Sequence, residues 1–205
     1  MSDLRLVYLS GEPGVGKSTL MREITADWER IYLPKEPGKA PHRDLLFDRG
    51  TPNVCCAVEL GRLRESASGT DALEASCITE AETWLHSGQA ARESSLILAE
   101  GSHLAHRRFL TDAVQAGWRV QLLHLQGPNL AAHRRSARTR VLDRPENQTW
   151  IKNRRTAAAN LALHASAWGV EVLLVDAARL VSDHDYHDAI IGTARGTLHT
   201  NLTPL

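Results

Sequence analysis

The stretch Gly11-Glu12-Pro13-Gly14-Val15-Gly16-Lys17-Ser18 constrains this chain more than any other. It matches G-x-x-x-x-G-K-[ST] at every fixed position. Leu4–Leu9 before it reads as a buried strand, and Thr19–Ile24 after it opens a helix. A strand that passes through glycines into a helix N-terminus makes a cradle for phosphate. The glycines let backbone N–H groups converge, and the helix end adds partial positive charge at the same place. Lys17 can then reach the β/γ-phosphates, and the Ser18 hydroxyl can ligate Mg²⁺. The pattern predicts binding of a nucleoside triphosphate, ATP with Mg²⁺, through Gly11, Pro13, Gly14, Val15, Gly16, Lys17, Ser18 and Thr19.

The chain has 205 residues, enough for one α/β domain with a full core. Its 24 basic and 24 acidic side chains cancel, so any anion binding must come from local patches. The three cysteines, Cys55, Cys56 and Cys77, are odd in number and lack C-x-x-C spacing. That argues against a disulfide framework and a zinc site, and for reduced thiols. Leu4–Leu9 is too short for a signal peptide or a membrane span, so a cytoplasmic protein without membrane contact is expected.

Apolar runs alternate with helical patterns, which predicts parallel β-α-β units. Strands are expected at 4–9, 30–33, 95–99, 119–125 and 170–175. Helices are expected at 53–63, 71–86, 103–116, 129–140 and 149–168, with a loop over 34–41, a turn at 143–147 and a frayed tail from Thr197. These elements describe a doubly wound, five-stranded parallel sheet in a single domain. Its ligands should lie at the C-terminal strand ends. The phosphate loop, Glu100 and Asp176 fall there.

Leu96-Ile97-Leu98-Ala99-Glu100 is an apolar strand ending in a carboxylate. Such a group can hold Mg²⁺ or orient a nucleophile; it can also cap a helix starting near Ser102. The preceding residue is Ala99 rather than the Asp expected of a motor-type ATPase. Asp71 can serve as a substrate-facing general base, or as an N-cap paired with Glu74 in a capping box. Asp48, before Gly50, is a second acceptor-side carboxylate or a turn former. Arg134, Arg135, Arg138, Arg140, Arg144, Lys152, Arg154 and Arg155 make the stretch 134–155 strongly basic. It reads as a lid closing over the nucleotide or as a solvated helix face, with Arg134, Arg138 and Arg154 facing inward. Asp183-His184-Asp185-Tyr186-His187-Asp188 reads as a metal cluster or a solvated helix start.

The phosphate loop, the strand ending in Glu100 and the arginine-rich segment before the last strand together resemble the P-loop kinase superfamily, over about residues 4–176. The resemblance implies a nucleoside monophosphate kinase-like fold. It also implies transfer of the γ-phosphoryl of ATP to a hydroxyl, with Lys17, Asp71, Glu100 and Arg138 as catalytic residues. Gluconate and shikimate kinases share that superfamily, so a sugar acid or polyol is an alternative acceptor. An ATPase or switch module acting on a partner is another alternative. Glu59–Arg62, Gly69–Leu73 and Asn147–Lys152 are similar to segments of P-loop kinase-like proteins of actinobacterial phages. Related phage kinases phosphorylate 5-hydroxymethyluracil in DNA, which implies a hydroxymethylpyrimidine in DNA, or a nucleotide, as acceptor.

Overall fold

In the computed structural model, residues 3–51, 54–61, 69–74, 77–127, 130–132, 134–135 and 147–197 are described. Strand β1 (Arg5–Gly11) forms the centre of the sheet, and its middle residues are buried on both faces. Its neighbours are β5 (Leu96–Glu100) and β6 (Arg119–Gln126), both parallel to it. Beyond them lie β4 (Cys55–Leu60) and β7 (Glu171–Asp176), again parallel. The antiparallel strands β2 (Trp28–Leu33) and β3 (Arg43–Asp48) extend the β4 side. The order is β2-β3-β4-β5-β1-β6-β7.

The sheet has seven strands where five were expected, it is mixed rather than wholly parallel, and one expectation fails in kind. The stretch 53–63 was expected to be helical, yet Cys55–Leu60 is a strand. A strand wedged between β3 and β5 and covered on both faces has no need of polar/apolar alternation, so its pattern mimics a helix. The strand expected at 30–33 exists, but it is the antiparallel edge of a hairpin. The proline-rich stretch after it is that hairpin's connection, closed by Glu36 N–H donating to the Ala40 carbonyl at 2.9 Å. Buried Arg43 anchors the hairpin through Glu93 at 2.7 Å and Glu36 at 2.9 Å.

Helices cover both faces. On one side α1 (Lys17–Ile24) buries Leu20, Met21 and Ile24 against Val7 and Leu9. On the other, α2 (Cys77–His86) buries Cys77, Ala81, Trp84 and Leu85, the face expected from its spacing. The short helix α3 (Gln89–Glu93) leads into β5. Helix α4 (Arg107–Gln115) starts later than expected, because the His106 Nδ1 accepts from the Phe109 N–H and caps it there. Helix α5 (Gln148–Ala165) is capped by Asn147 and closes as a 3₁₀ turn over Ser166–Trp168. Two helices, α6 (Arg179–Ser182) and α7 (His184–Arg195), follow β7. Residues 130–132 and 134–135 are helical; the rest of the expected 129–140 helix and most of the 143–147 turn lie outside the described residues.

Candidate active site

The phosphate loop leaves the buried end of β1 and enters α1 through Gly16, whose φ of 113° few side chains tolerate. Lys17 Nζ donates to the carbonyls of Gly11 and Glu12, both at 3.1 Å. Burial lowers its pKa, partly opposed by the negative fields of Glu100, Asp71 and Glu12. Two arginines grip the loop from outside. Arg134 Nη1 donates to the Val15 carbonyl at 3.0 Å, and Arg135 Nη1 donates to the Pro13 carbonyl at 2.6 Å. In a trans peptide the carbonyl and the next N–H point in opposite directions. Fixing these two carbonyls therefore turns the Gly16 and Gly14 N–H groups away from the arginines. Arg135 also pairs with the buried Glu12 carboxylate at 3.3 Å.

Ser18 Oγ, one residue after Lys17, donates to Glu100 Oε1 at 2.9 Å. Glu100 ends β5 and is only 2% exposed. The capping alternative for Glu100 does not hold, since α4 begins at Arg107 under a different cap.

Asp71 reaches the same place from a 3₁₀ turn, Gly69–Ala72. Its Oδ1 accepts from the Ser102 N–H and from Ser102 Oγ, both at 2.6 Å. The capping-box alternative fails with it: α2 starts only at Cys77, and the Glu74 carboxylate pairs with Lys35 at 2.9 Å. The turn is pressed onto the strand ends. A Cβ on Gly69 (φ 58°) would lie 2.5 Å from the Glu100 carbonyl oxygen, and one on Gly61 would collide with the Gly69 carbonyl. Buried Tyr8 ties the layers together. Its hydroxyl lies 3.0 Å from Thr70 Oγ1 and donates to the Gly101 carbonyl at 3.2 Å.

An open pocket of about 550 Å³ lies between these groups and α5. Ser10, Lys17, Asp71 and Ser102 supply its polar lining, and Trp150, Arg154, Ala157 and Ala158 form the α5 side. Helical spacing aligns Trp150, Arg154 and Ala158 on one face. The Arg154 guanidinium lies 5.8 Å from the Trp150 ring centre, within cation–π range. Behind Ser10, buried His124 places Nδ1 3.3 Å from Ser10 Oγ. Burial and Lys17 hold that imidazole below its ordinary pKa.

Arg154 thus faces the pocket as expected. Arg134 meets the loop backbone. Arg138 lies outside the described residues, as does most of the basic stretch it belongs to. Ser10, Ser102, His124 and Trp150 were not foreseen as site residues. The sequence held a weak signal for Ser102, two residues past Glu100, and none for Trp150. Asp48 is on the wrong side. Strand β3 runs antiparallel to β4, so Asp48 sits at the sheet end opposite the phosphate loop, where Oδ1 accepts from the Gly50 N–H at 2.6 Å. Asp176 ends β7, and its Oδ1 accepts from the Ala178 N–H at 2.8 Å as a turn former.

No helix among the described residues is long and apolar enough to cross a membrane. Comparison with curated proteins and with solved structures gave no match. The profile of one family, described as P-loop Nucleotide Kinase3, matches residues 2–189. That span takes in the phosphate loop, Asp71, Glu100 and the α5 side of the pocket. The chain belongs to the P-loop Nucleotide Kinase3 family.

Proposed function

We propose that this chain transfers the γ-phosphoryl of ATP to a hydroxyl held in the pocket between Asp71 and Trp150. The acceptor we favour is a hydroxymethylpyrimidine, in DNA or as a nucleotide. The supporting observation is that Lys17, Asp71 and Trp150 line one pocket. This puts a phosphate-following cation, a carboxylate and an aromatic face within reach of one bound molecule. A planar base can stack on Trp150, with Arg154 beside it for a phosphate of the acceptor.

In this reading Lys17 exchanges its two loop carbonyls for phosphate oxygens and follows charge onto the transferred group. Asp71 orients the attacking hydroxyl and accepts its proton, while Ser102 holds the carboxylate in place. Phosphoryl transfer passes through a loose transition state, so positioning counts for more than base strength. Ser18 and Glu100 are the residues that would hold Mg²⁺. A hydroxyl and a carboxylate oxygen 2.9 Å apart form the hard-oxygen donor set that ion prefers. When bound, it neutralises charge on the β- and γ-phosphate oxygens. Arg134 and Arg135 act from behind, fixing the peptide planes of the loop, while Arg138 is proposed as a lid residue on the nucleotide side. The whole chain acts as one kinase domain.

The test is a transfer assay with γ-labelled ATP. The acceptors are DNA containing 5-hydroxymethyluracil, unmodified DNA, mononucleotides and sugar acids. Label entering the hydroxymethylated DNA or a nucleotide, and absent with Lys17→Ala, is the expected result. Label in a sugar acid alone overturns the acceptor assignment. ATP hydrolysis of equal rate with and without every acceptor overturns the transferase.

A further inference from the structure

The start of α7 carries a group the phosphoryl-transfer reading does not use. Asp183 caps the helix, its Oδ1 accepting from the Tyr186 N–H at 3.0 Å. Spacings of three and four then place His184, His187 and Asp188 on one face. His184 Nδ1 lies 3.2 Å from Asp188 Oδ2, and His187 Nδ1 lies 3.3 Å from Asp188 Oδ1. One donor atom from each residue lies within 4.8 Å of the other two. Ligand atoms around a tetrahedral ion with bonds near 2.0 Å are separated by roughly 3.3 Å, and each imidazole Nδ1 lies about that far from an Asp188 oxygen, His184 from Oδ2 and His187 from Oδ1.

A fourth residue comes from another helix. Glu23, near the end of α1, places Oε2 3.2 Å from His187 Nε2. A metal-binding imidazole commonly gives its second N–H to a carboxylate, which fixes the tautomer and the ring orientation. In the metal-bound state Glu23 would take the Nε2 proton in this way, leaving the Nδ1 lone pair for the ion beside His184 and Asp188. The His184 and Asp188 side chains are 85% and 61% exposed, so an ion can arrive from solvent and keep water in its remaining positions.

We propose that His184, His187 and Asp188 bind a borderline divalent transition ion of the zinc type, with Glu23 as the residue that positions His187. Two imidazoles and one carboxylate suit such an ion and not Mg²⁺, which prefers oxygen throughout. The site is separate from the Ser18–Glu100 pair, which lies at the opposite end of α1. Occupancy would clamp α7 to the helix that begins with Lys17 and Ser18.

Calorimetric titration of the full chain with Zn²⁺ in excess Mg²⁺ tests the proposal. The expected result is one stoichiometric site in the wild type, weakened at least about 10-fold by His184→Ala and lost with His184→Ala/His187→Ala. Removal of a carboxylate behind a metal-bound imidazole typically costs about 10–100-fold in affinity, and Glu23→Ala should do the same. Glu23→Gln, whose amide oxygen still accepts from Nε2–H, should bind nearly as wild type. Because His184 is exposed, its single variant keeps the test sound if the double variant misfolds. An isotherm unchanged by His184→Ala would place bound zinc elsewhere and overturn the site. Equal heats with Mg²⁺ alone, or no Zn²⁺ binding, would overturn it as well.

Discussion

The two walls of the central pocket are made in opposite ways. The phosphate wall is eight consecutive residues, and it is made of main-chain groups fixed by three glycines and two arginines. The other wall, which we propose faces the acceptor, is gathered from three distant segments: the turn carrying Asp71, the stretch after β5 carrying Ser102, and α5 carrying Trp150 and Arg154. It depends on side chains, of which Asp71 also holds the Ser102 main-chain N–H. A backbone-built wall serves every triphosphate alike, whereas a side-chain wall can be re-specified residue by residue. Selectivity for the acceptor should therefore reside on the second wall and rate enhancement partly on both.

Asp71→Asn tests this contrast with the largest expected effect. Transfer should fall by about 10²–10⁴-fold, the usual worth of a general base. Asn can still accept both Ser102 hydrogen bonds through Oδ1, so the melting temperature should hold. Full kcat with an unchanged acceptor KM would mean that the acceptor wall does no chemistry.

Lys17→Ala should cost on the order of 10²–10³-fold in turnover, the scale of one electrostatic stabiliser. Its partners are loop carbonyls and not the core, so thermal unfolding should barely move. Steady-state kinetics beside a melting curve would show whether the lysine serves the ligand or the loop.

Trp150→Ala should separate the walls most cleanly. Loss of a stacking face costs about 1–3 kcal/mol per base, so acceptor KM should rise about 5- to 150-fold while ATP KM stays put. Phe at this position should restore most of the loss. A matching rise in ATP KM would show that the two walls are not independent.

The smallest effect concerns acid. Burial depresses both His106 and His124, with Arg108 adding to the first and Lys17 to the second. At these two sites the native state thus binds fewer protons than the unfolded chain once pH falls below about 6.5, and their contribution to stability declines from there down through the native values, while His187, raised against its burial by Glu23 and Asp188, works the other way. His106→Asn/His124→Gln should flatten that limb, since Asn caps α4 without titrating. The gap should be a few degrees in Tm, the scale of about 1 kcal/mol in a chain of this length. Parallel melting curves for the two proteins over pH 5–7 would measure it.

The same contrast explains what could be read from sequence. The phosphate loop was legible because its partners are adjacent in the chain, and Glu100 because a strand end is a local feature. The buried face of α2 followed from spacing. Strand β4 was read as a helix because burial on both faces removes the alternation that marks a strand. The role of Asp71 stayed open between cap and base because its partner, Ser102, is 31 residues away. Of the two alternatives for Asp48 the turn former holds and the acceptor-side acid fails, because the antiparallel course of β3, which carries it to the far end of the sheet, leaves no mark in composition. Trp150 did not stand out as a site residue: one aromatic on a helix that also carries Ile151, Leu161 and several alanines gives no sign of the cavity it faces.

The hairpin added beyond β4 has a consequence for the protein in bulk. Its outer strand β2 forms one rim of the sheet and is exposed along most of its length, with Ile31 at 54% and Tyr32 at 45%. A rim of this kind is a template on which a second strand can zip. Arg30, which might have guarded it, is drawn inward to Asp44 and Glu59 at 2.9 and 2.7 Å, while Glu29 stays exposed. Crowded solutions of this protein should begin to self-associate here, away from the pocket beside the phosphate loop, so colloidal behaviour and the proposed activity can fail independently.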